Sequence, residues 1–152
     1  MLNQYDQKQS IQKKLDNFKH ACKNAGLKLT HQRLEIYREL AMASDHPAAE
    51  TIHKRLKERM PTISLDTIYR TLMTLENHGL IRKVQTVESQ ARYEAEMIQH
   101  HHLICDKCKK IMDFQWKTFD ESTLPDEISA WGRIQYKNVV LHGICDKCLQ
   151  KK

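Results

Sequence analysis

The chain has 152 residues, 40% of them hydrophobic and 29% charged, with a formal net charge of +6. That length supports one ordinary domain or two small ones, and no apolar run approaches the ~20 residues a membrane span requires. The polar stretch from Asn3 to Asp16 lacks the apolar core of a secretion signal, so a cytoplasmic protein with reduced cysteines is expected. The charge is uneven: the first 84 residues carry 15 Lys/Arg against 9 Asp/Glu, while the rest hold 10 of each. This asymmetry predicts two domains, the first of which meets a polyanion.

Taken in chain order, "LDNFKHACKNAGL" places Leu15, Phe18, Ala21 and Cys22 on one helical face and ends at Gly26, a natural C-cap. "THQRLEIYRELAMA" starts at Thr30 as N-cap and buries Leu34, Ile36, Tyr37 and Leu40. "AAETIHKRLKERM" buries Ile52 and Leu56 and is stopped by Pro61. "SLDTIYRTLMTLENHGL" opens on Ser64, buries Leu65, Ile68, Leu72 and Leu75, and ends at Gly79. With "LIRKV" and "ARYEA" as two following strands, this is the layout of a winged helix-turn-helix, in which the helix from Ser64 enters the major groove. Its first turns are expected to expose Asp66, Thr67, Tyr69, Arg70 and Thr71. An ordinary helical bundle with a polar outer face is the alternative.

From Gln85 onward the chain turns β-prone in "RYEAE", "HLIC", "IMDFQW" and "NVVLHGIC", with room for one helix in "FDESTLPDEISAWG". A sheet this short buries too little to stand alone and calls for a metal, a partner subunit, or both. The fold class expected is therefore α+β. Residues 1–84 would form a winged-helix DNA-binding domain, 85–91 a hinge, and 92–152 a small metal-binding dimerisation domain.

Cys105-x-x-Cys108 and Cys145-x-x-Cys148 can close a tetrahedron around a structural Zn²⁺. A redox dithiol is the alternative, although one pair would suffice for it. Cys22 is left over, as a small buried hydrophobe. Beside the cysteines lie the histidines of "HHHLIC". On a β-run His100 and His102 point to one side and His101 to the other. With Glu94 and Asp113 on neighbouring predicted strands, they make a nitrogen/oxygen set suited to Fe²⁺, Mn²⁺ or Zn²⁺. His46, in "SDHPAAE", can supply a fifth ligand. A hydrolase using Glu94 or Asp113 as base would leave the basic N-terminal region unexplained.

These stretches, from "GLKLTHQRLEIYREL" through "HPAAETIHKRL", "TISLDTIYRTLMTLENHGLIRKV" and "HHHLICDKCKKIMDF" to the closing "CDKC", resemble the ferric uptake regulator (Fur) family over nearly the whole chain. The likeness is greatest to the peroxide-stress regulator (PerR) subfamily. It implies a homodimeric metal-dependent repressor of double-stranded operator DNA, not an enzyme, and with no small-molecule substrate beyond the oxidant. Ser64, Thr67, Tyr69 and Arg70 would face DNA. Cys105, Cys108, Cys145 and Cys148 would hold structural zinc, one per subunit. His46, Glu94, His100, His102 and Asp113 would hold one regulatory Fe²⁺ or Mn²⁺. Peroxide reacting with the iron form would then oxidise His46 or His100 and release the operator. Glu94 stands where peroxide sensors carry aspartate, which keeps open an iron- or zinc-responsive repressor controlling metal uptake. Lys137 stands where several members have a histidine of a third metal site, so no third site is expected.

Overall fold

The computed structural model describes residues 4–151, which divide into two compact units, with the boundary between Met97 and Ile98. No helix among the described residues is long and apolar enough to cross a membrane.

The first unit runs α1 (Gln4–Asn24), α2 (His31–Met42), α3 (Ala49–Leu56), α4 (Leu65–Asn77), β1 (Arg82–Val84) and β2 (Arg92–Glu94). Local chemistry sets most of the helix ends. Gly26 at φ +67° lets Leu27 N–H reach Cys22 O at 2.8 Å, which satisfies a carbonyl at the end of α1. Gly79 at φ +68° does the same for α4, where Leu80 N–H donates to Leu75 O at 2.9 Å. The Thr30 and Ser64 hydroxyls accept from the N–H groups of Arg33 and Thr67 and cap α2 and α4. α3 is shorter than expected: Arg59 and Met60 N–H both turn back to Leu56 O, ending it before Pro61. Leu15, Phe18, Cys22, Ile36, Leu40, Ile52, Leu56, Ile68, Leu72 and Leu75 form one buried core, with Phe18 stacked on Tyr37 at 3.9 Å between ring centroids. Cys22 is wholly buried within it, and burial pushes its thiol pKa up. The hairpin β1–β2 is antiparallel, with Lys83 opposite Tyr93, so residues 85–91 form its connection inside this unit.

The second unit holds a three-stranded sheet, β3 (His101–Cys105), β4 (Ile111–Phe114) and β5 (Val140–Gly143), in the order β4-β3-β5. β3 and β4 are antiparallel with His102 opposite Asp113, whereas β3 and β5 are parallel with Cys105 opposite Gly143. Between β4 and β5 the sequence reading expected one helix. The structure has two single turns instead, α5 (Lys117–Asp120) and α6 (Asp126–Ser129), because Pro125 cannot continue a helix but can begin one. α7 (Asp146–Gln150) closes the described chain. Glu94 and Asp113 were expected on neighbouring strands. They lie instead in different sheets, since the pairing of Arg82 with Glu94 ties β2 to the helical unit.

Candidate metal centres and nucleic-acid interface

Parallel pairing of β3 with β5 carries each Cys-x-x-Cys to the same end of the sheet, and Asp106 N–H seals the join on Gly143 O at 2.8 Å. After Cys105 the chain turns through Lys109 at φ 62°, and Cys145 stands at the N-cap of α7 with Cys148 on its first turn. The four Sγ atoms lie within 4.8 Å of one another, and Cys108 Sγ is 3.8 Å from Cys145 Sγ. A tetrahedral ion with Zn–S bonds of about 2.3 Å has S···S edges of about 3.8 Å, so the donor set fits zinc in both chemistry and size. N–H groups of Cys108 and Cys145 donate to Cys105 Sγ at 3.5 and 3.4 Å and lower its pKa to about 6. Desolvation, and hydrogen bonding with Cys108 and the other thiols, push Cys148 up to about 12. Cys148 thus resists ionisation at neutral pH, and a divalent cation offsets that resistance by binding the thiolate. All four are unpaired thiols rather than disulfides.

The nitrogen and oxygen donors fall into two sets, one in each unit. In the first, His46 lies in the connection from α2 to α3 and Glu94 ends β2. Both are buried, with His46 Nε2 3.2 Å from Glu94 Oε2. In the second, His100 and His102 project from the same side of the chain, as their two-residue spacing requires, and their Nε2 atoms are 3.1 Å apart. Asp113 Oδ1 stands across the hairpin, 3.8 Å from His100 Nε2 and 3.5 Å from His102 Nε2. Ile98 O lies 2.7 Å from His100 Nδ1 and can only accept, so Nδ1 donates to it and Nε2 is the nitrogen left to meet a cation. Two adjacent ligands bonded at about 2.1 Å and a right angle are about 3.0 Å apart, close to the spacing of these two nitrogens. The donor set fits a borderline or hard divalent cation such as Fe²⁺, Mn²⁺ or Zn²⁺.

His101 points the opposite way and is fully buried. Its Nδ1 accepts Val139 N–H at 3.1 Å and its Nε2 lies 3.1 Å from Asp120 Oδ1, so it braces β3 against β5 and α5. Lys137 donates from its ammonium to Ser122 O and Oγ and lies 5.1 Å from the centroid of the Phe119 ring.

On α4, Ser64 is taken up with capping, and its Oγ lies 2.8 Å from the half-buried Thr67 hydroxyl. Tyr69 and Arg70 are exposed. The Tyr69 hydroxyl donates to the Glu50 carboxylate, and Arg70 Nε is 2.9 Å from Asp66 Oδ2. Thr71, expected on the outer face, is buried: it follows the exposed pair on the turn that carries Ile68 and Leu72 into the core. Two residues that sequence reasoning did not single out stand beside these sites. Met73 is exposed on α4, and Arg92 donates to the carbonyls of Asp45 and His46. The Arg92 contacts span about 46 residues of chain, so no local pattern could signal them.

Residues 24–139 match the model of the "Ferric uptake regulator family". The chain is 29% identical over 144 residues to the peroxide-responsive repressor PerR of Staphylococcus epidermidis, covering 94% of this chain and 95% of that protein. The same identity is found with PerR of Staphylococcus aureus, over 94% of this chain and 97% of that one. Among solved structures, the Helicobacter pylori ferric uptake regulator Fur aligns with a TM-score of 0.75 at 25% identity, covering 93% of this chain and 95% of its own. Vibrio cholerae Fur aligns at 0.68 and 28% identity, covering 83% and 98%. With a family match across most of its length, and the winged-helix and four-cysteine elements in place, this chain belongs to the ferric uptake regulator family.

Proposed function

We propose that the protein is a homodimeric, metal-dependent repressor that senses peroxide by oxidation of a histidine ligand. The reading is carried by the buried imidazole pair, with His100 and His102 Nε2 atoms 3.1 Å apart and the Asp113 carboxylate facing both. Neither unit's donors suffice alone for a five- or six-coordinate ion. The proposal therefore joins His46 and Glu94 with His100, His102 and Asp113 on one Fe²⁺ or Mn²⁺. An ion held by donors from both units limits their relative motion and thereby the spacing of two α4 helices on operator DNA. Bound Fe²⁺ supplies one-electron chemistry with peroxide. The chain contributes imidazoles at His46 and His100 beside that chemistry, and an oxidised imidazole is a poor ligand.

Cys105, Cys108, Cys145 and Cys148 serve as the closed structural zinc site in this reading. The exposed Leu103, Met112 and Leu141, which are cross-strand neighbours on one sheet face, support a partner subunit on that face. Ser64, Thr67, Tyr69 and Arg70 are the proposed DNA-facing residues, with Arg70 the strongest candidate for a phosphate or guanine contact.

The decisive experiment exposes Fe²⁺-loaded, zinc-replete protein to micromolar peroxide. The expected result is a gain of about one oxygen mass on a peptide containing His46 or His100, together with loss of operator binding. The Mn²⁺ form should gain no mass and keep its operator. Glu94 in place of the subfamily's aspartate gives the second reading a specific basis: its longer arm can fill a position that peroxide would need. An iron form that keeps both mass and operator would make the protein an iron- or zinc-responsive repressor instead.

A further inference from the structure

His46 is held in an uncommon backbone conformation. Its φ is 50°, in the left-handed region, and Pro47 follows it, so the chain on both sides is restricted. A buried imidazole in such a conformation persists only where its surroundings over-determine it. Two arginines do so from two elements. Arg55 on α3 forks onto the Asp45 carboxylate, with Nη1 and Nη2 at 3.2 and 2.5 Å, while remaining half exposed. Arg92 on β2 is more enclosed. Its Nε–H donates to His46 O, its Nη2–H donates to Asp45 O at 2.7 Å, and its Nη1 pairs with Glu88 Oε2 at 3.1 Å. Main-chain contacts continue the clamp, with Tyr93 N–H on Pro47 O at 3.1 Å and a bridge between Ala48 and Arg92.

Arg92 and Glu94 are two apart on one strand, so both lie on the same side of it. β2 thus carries one member of the His46–Glu94 pair and holds the peptide of the other. The 3.2 Å between His46 Nε2 and Glu94 Oε2 is a property of this strand and the loop it clamps. Glu88 lies in the β1–β2 connection, so the third contact of the same guanidinium ties the hairpin to the ligand loop. Only a planar fork with several N–H groups reaches two carbonyls and a carboxylate at once; a lysine offers a single point of charge.

We infer that Arg92 is a positioning residue: it sets His46 for the regulatory metal and mechanically links that ligand to the β1–β2 hairpin. The inference rests on the metal centre proposed above. The test uses the full-length, zinc-loaded protein, with Mn²⁺ affinity followed by electron paramagnetic resonance and Co²⁺ absorption bands reporting the donor set. R92Q should bind Mn²⁺ roughly tenfold to a hundredfold more weakly, the range seen when groups that orient a ligand are removed, and should show an altered Co²⁺ spectrum. R92K should fall between R92Q and wild type on both readouts, and R55Q should change affinity by less than about threefold, since it leaves the His46 carbonyl contact in place. A purely structural role would lower the melting temperature of the Mn²⁺-free protein and leave affinity and spectrum unchanged. That result, or R55Q matching R92Q, overturns the inference. Should R92Q not fold, R92K decides alone, with wild-type affinity overturning the role and a severalfold loss supporting it. H102A separates the two levels. If H102A binds Mn²⁺ like wild type, the metal centre and Arg92's role fall together. If H102A loses Mn²⁺ while R92Q keeps it, only the role of Arg92 fails.

Discussion

The two units hold themselves together by different means. In the first, four helices and a short hairpin enclose a continuous apolar core from Leu15 to Tyr93, and polar side chains concentrate on caps and outer faces. In the second, the buried apolar side chains among the described residues are Ile104, Cys105 and Ile111, while Leu103, Met112, Trp131, Tyr136, Leu141, Ile144 and Leu149 are exposed. A sheet of three strands, each of four or five residues, cannot offset the entropy of ordering its own loops by burial at ~25 cal/mol per Å². What the second unit has instead is four thiols at one end of its sheet and an apolar face fit for a partner. On the function proposed above, the lesson is a division of labour: burial supports the helical unit, and coordination plus association would support the other.

The largest expected effect breaks that comparison at the sulfur site. Cys105→Ser removes one thiolate, leaving an incomplete tetrahedron, and metal binding is folding free energy in a site of this kind. Amide protection should collapse across β3, β4 and β5 and the dimer should be lost, while the amides of α2 and α4 stay protected. Hydrogen exchange read by mass spectrometry checks this; uniform loss through both units, or no loss in either, contradicts the division.

Next in size is a pair of substitutions chosen to separate burial from association. Ile68 is fully buried at the centre of the helical core, so Ile68→Ala should lower stability by about 2–5 kcal/mol in a urea titration. Leu141 is exposed on the sheet face, and Leu141→Ala should leave monomer stability within ~0.5 kcal/mol while weakening the dimer in sedimentation. Equal effects on stability would show that the second unit has a core of its own.

The smallest expected effect concerns the outer face of the first unit. Arg70 is exposed, and among the described residues its side chain pairs with Asp66 one turn earlier, an arrangement worth little to folding. Arg70→Ala should therefore cost ~1–3 kcal/mol of operator affinity if it meets a base, or reduce the salt dependence by about one unit if it meets a phosphate. The melting temperature should hold. Wild-type binding and salt slope would remove Arg70 from the proposed interface.

Much of the fold was legible in the residues because it is enforced locally. Gly26 and Gly79 end helices where a left-handed residue is needed, Thr30 and Ser64 begin them, and the apolar spacing of α4 put Ile68, Leu72 and Leu75 inside. Thr71 shares that buried arc, and only its polar side chain suggested an outer position. The single helix expected after β4 failed for a comparable reason: propensity over "FDESTLPDEISAWG" did not weigh the break at Pro125.

For the sites, residue type and spacing pointed to the proposed donors: two Cys-x-x-Cys pairs, alternating histidines, and carboxylates nearby in the sequence. Such patterns name chemistry because a metal accepts only certain atoms. Tertiary structure decided which strand each donor rides on. Glu94 belongs to a hairpin of the helical unit and Asp113 to the sheet of the other, a distinction made by cross-strand pairing rather than by any local preference. It also decided what holds the loop that carries His46. The Arg92 guanidinium on the carbonyls of Asp45 and His46 joins residues far apart in sequence, and neither carbonyl carries a mark that a reading of side chains could detect. Contacts to the backbone depend on where the chain passes, and only folding settles that.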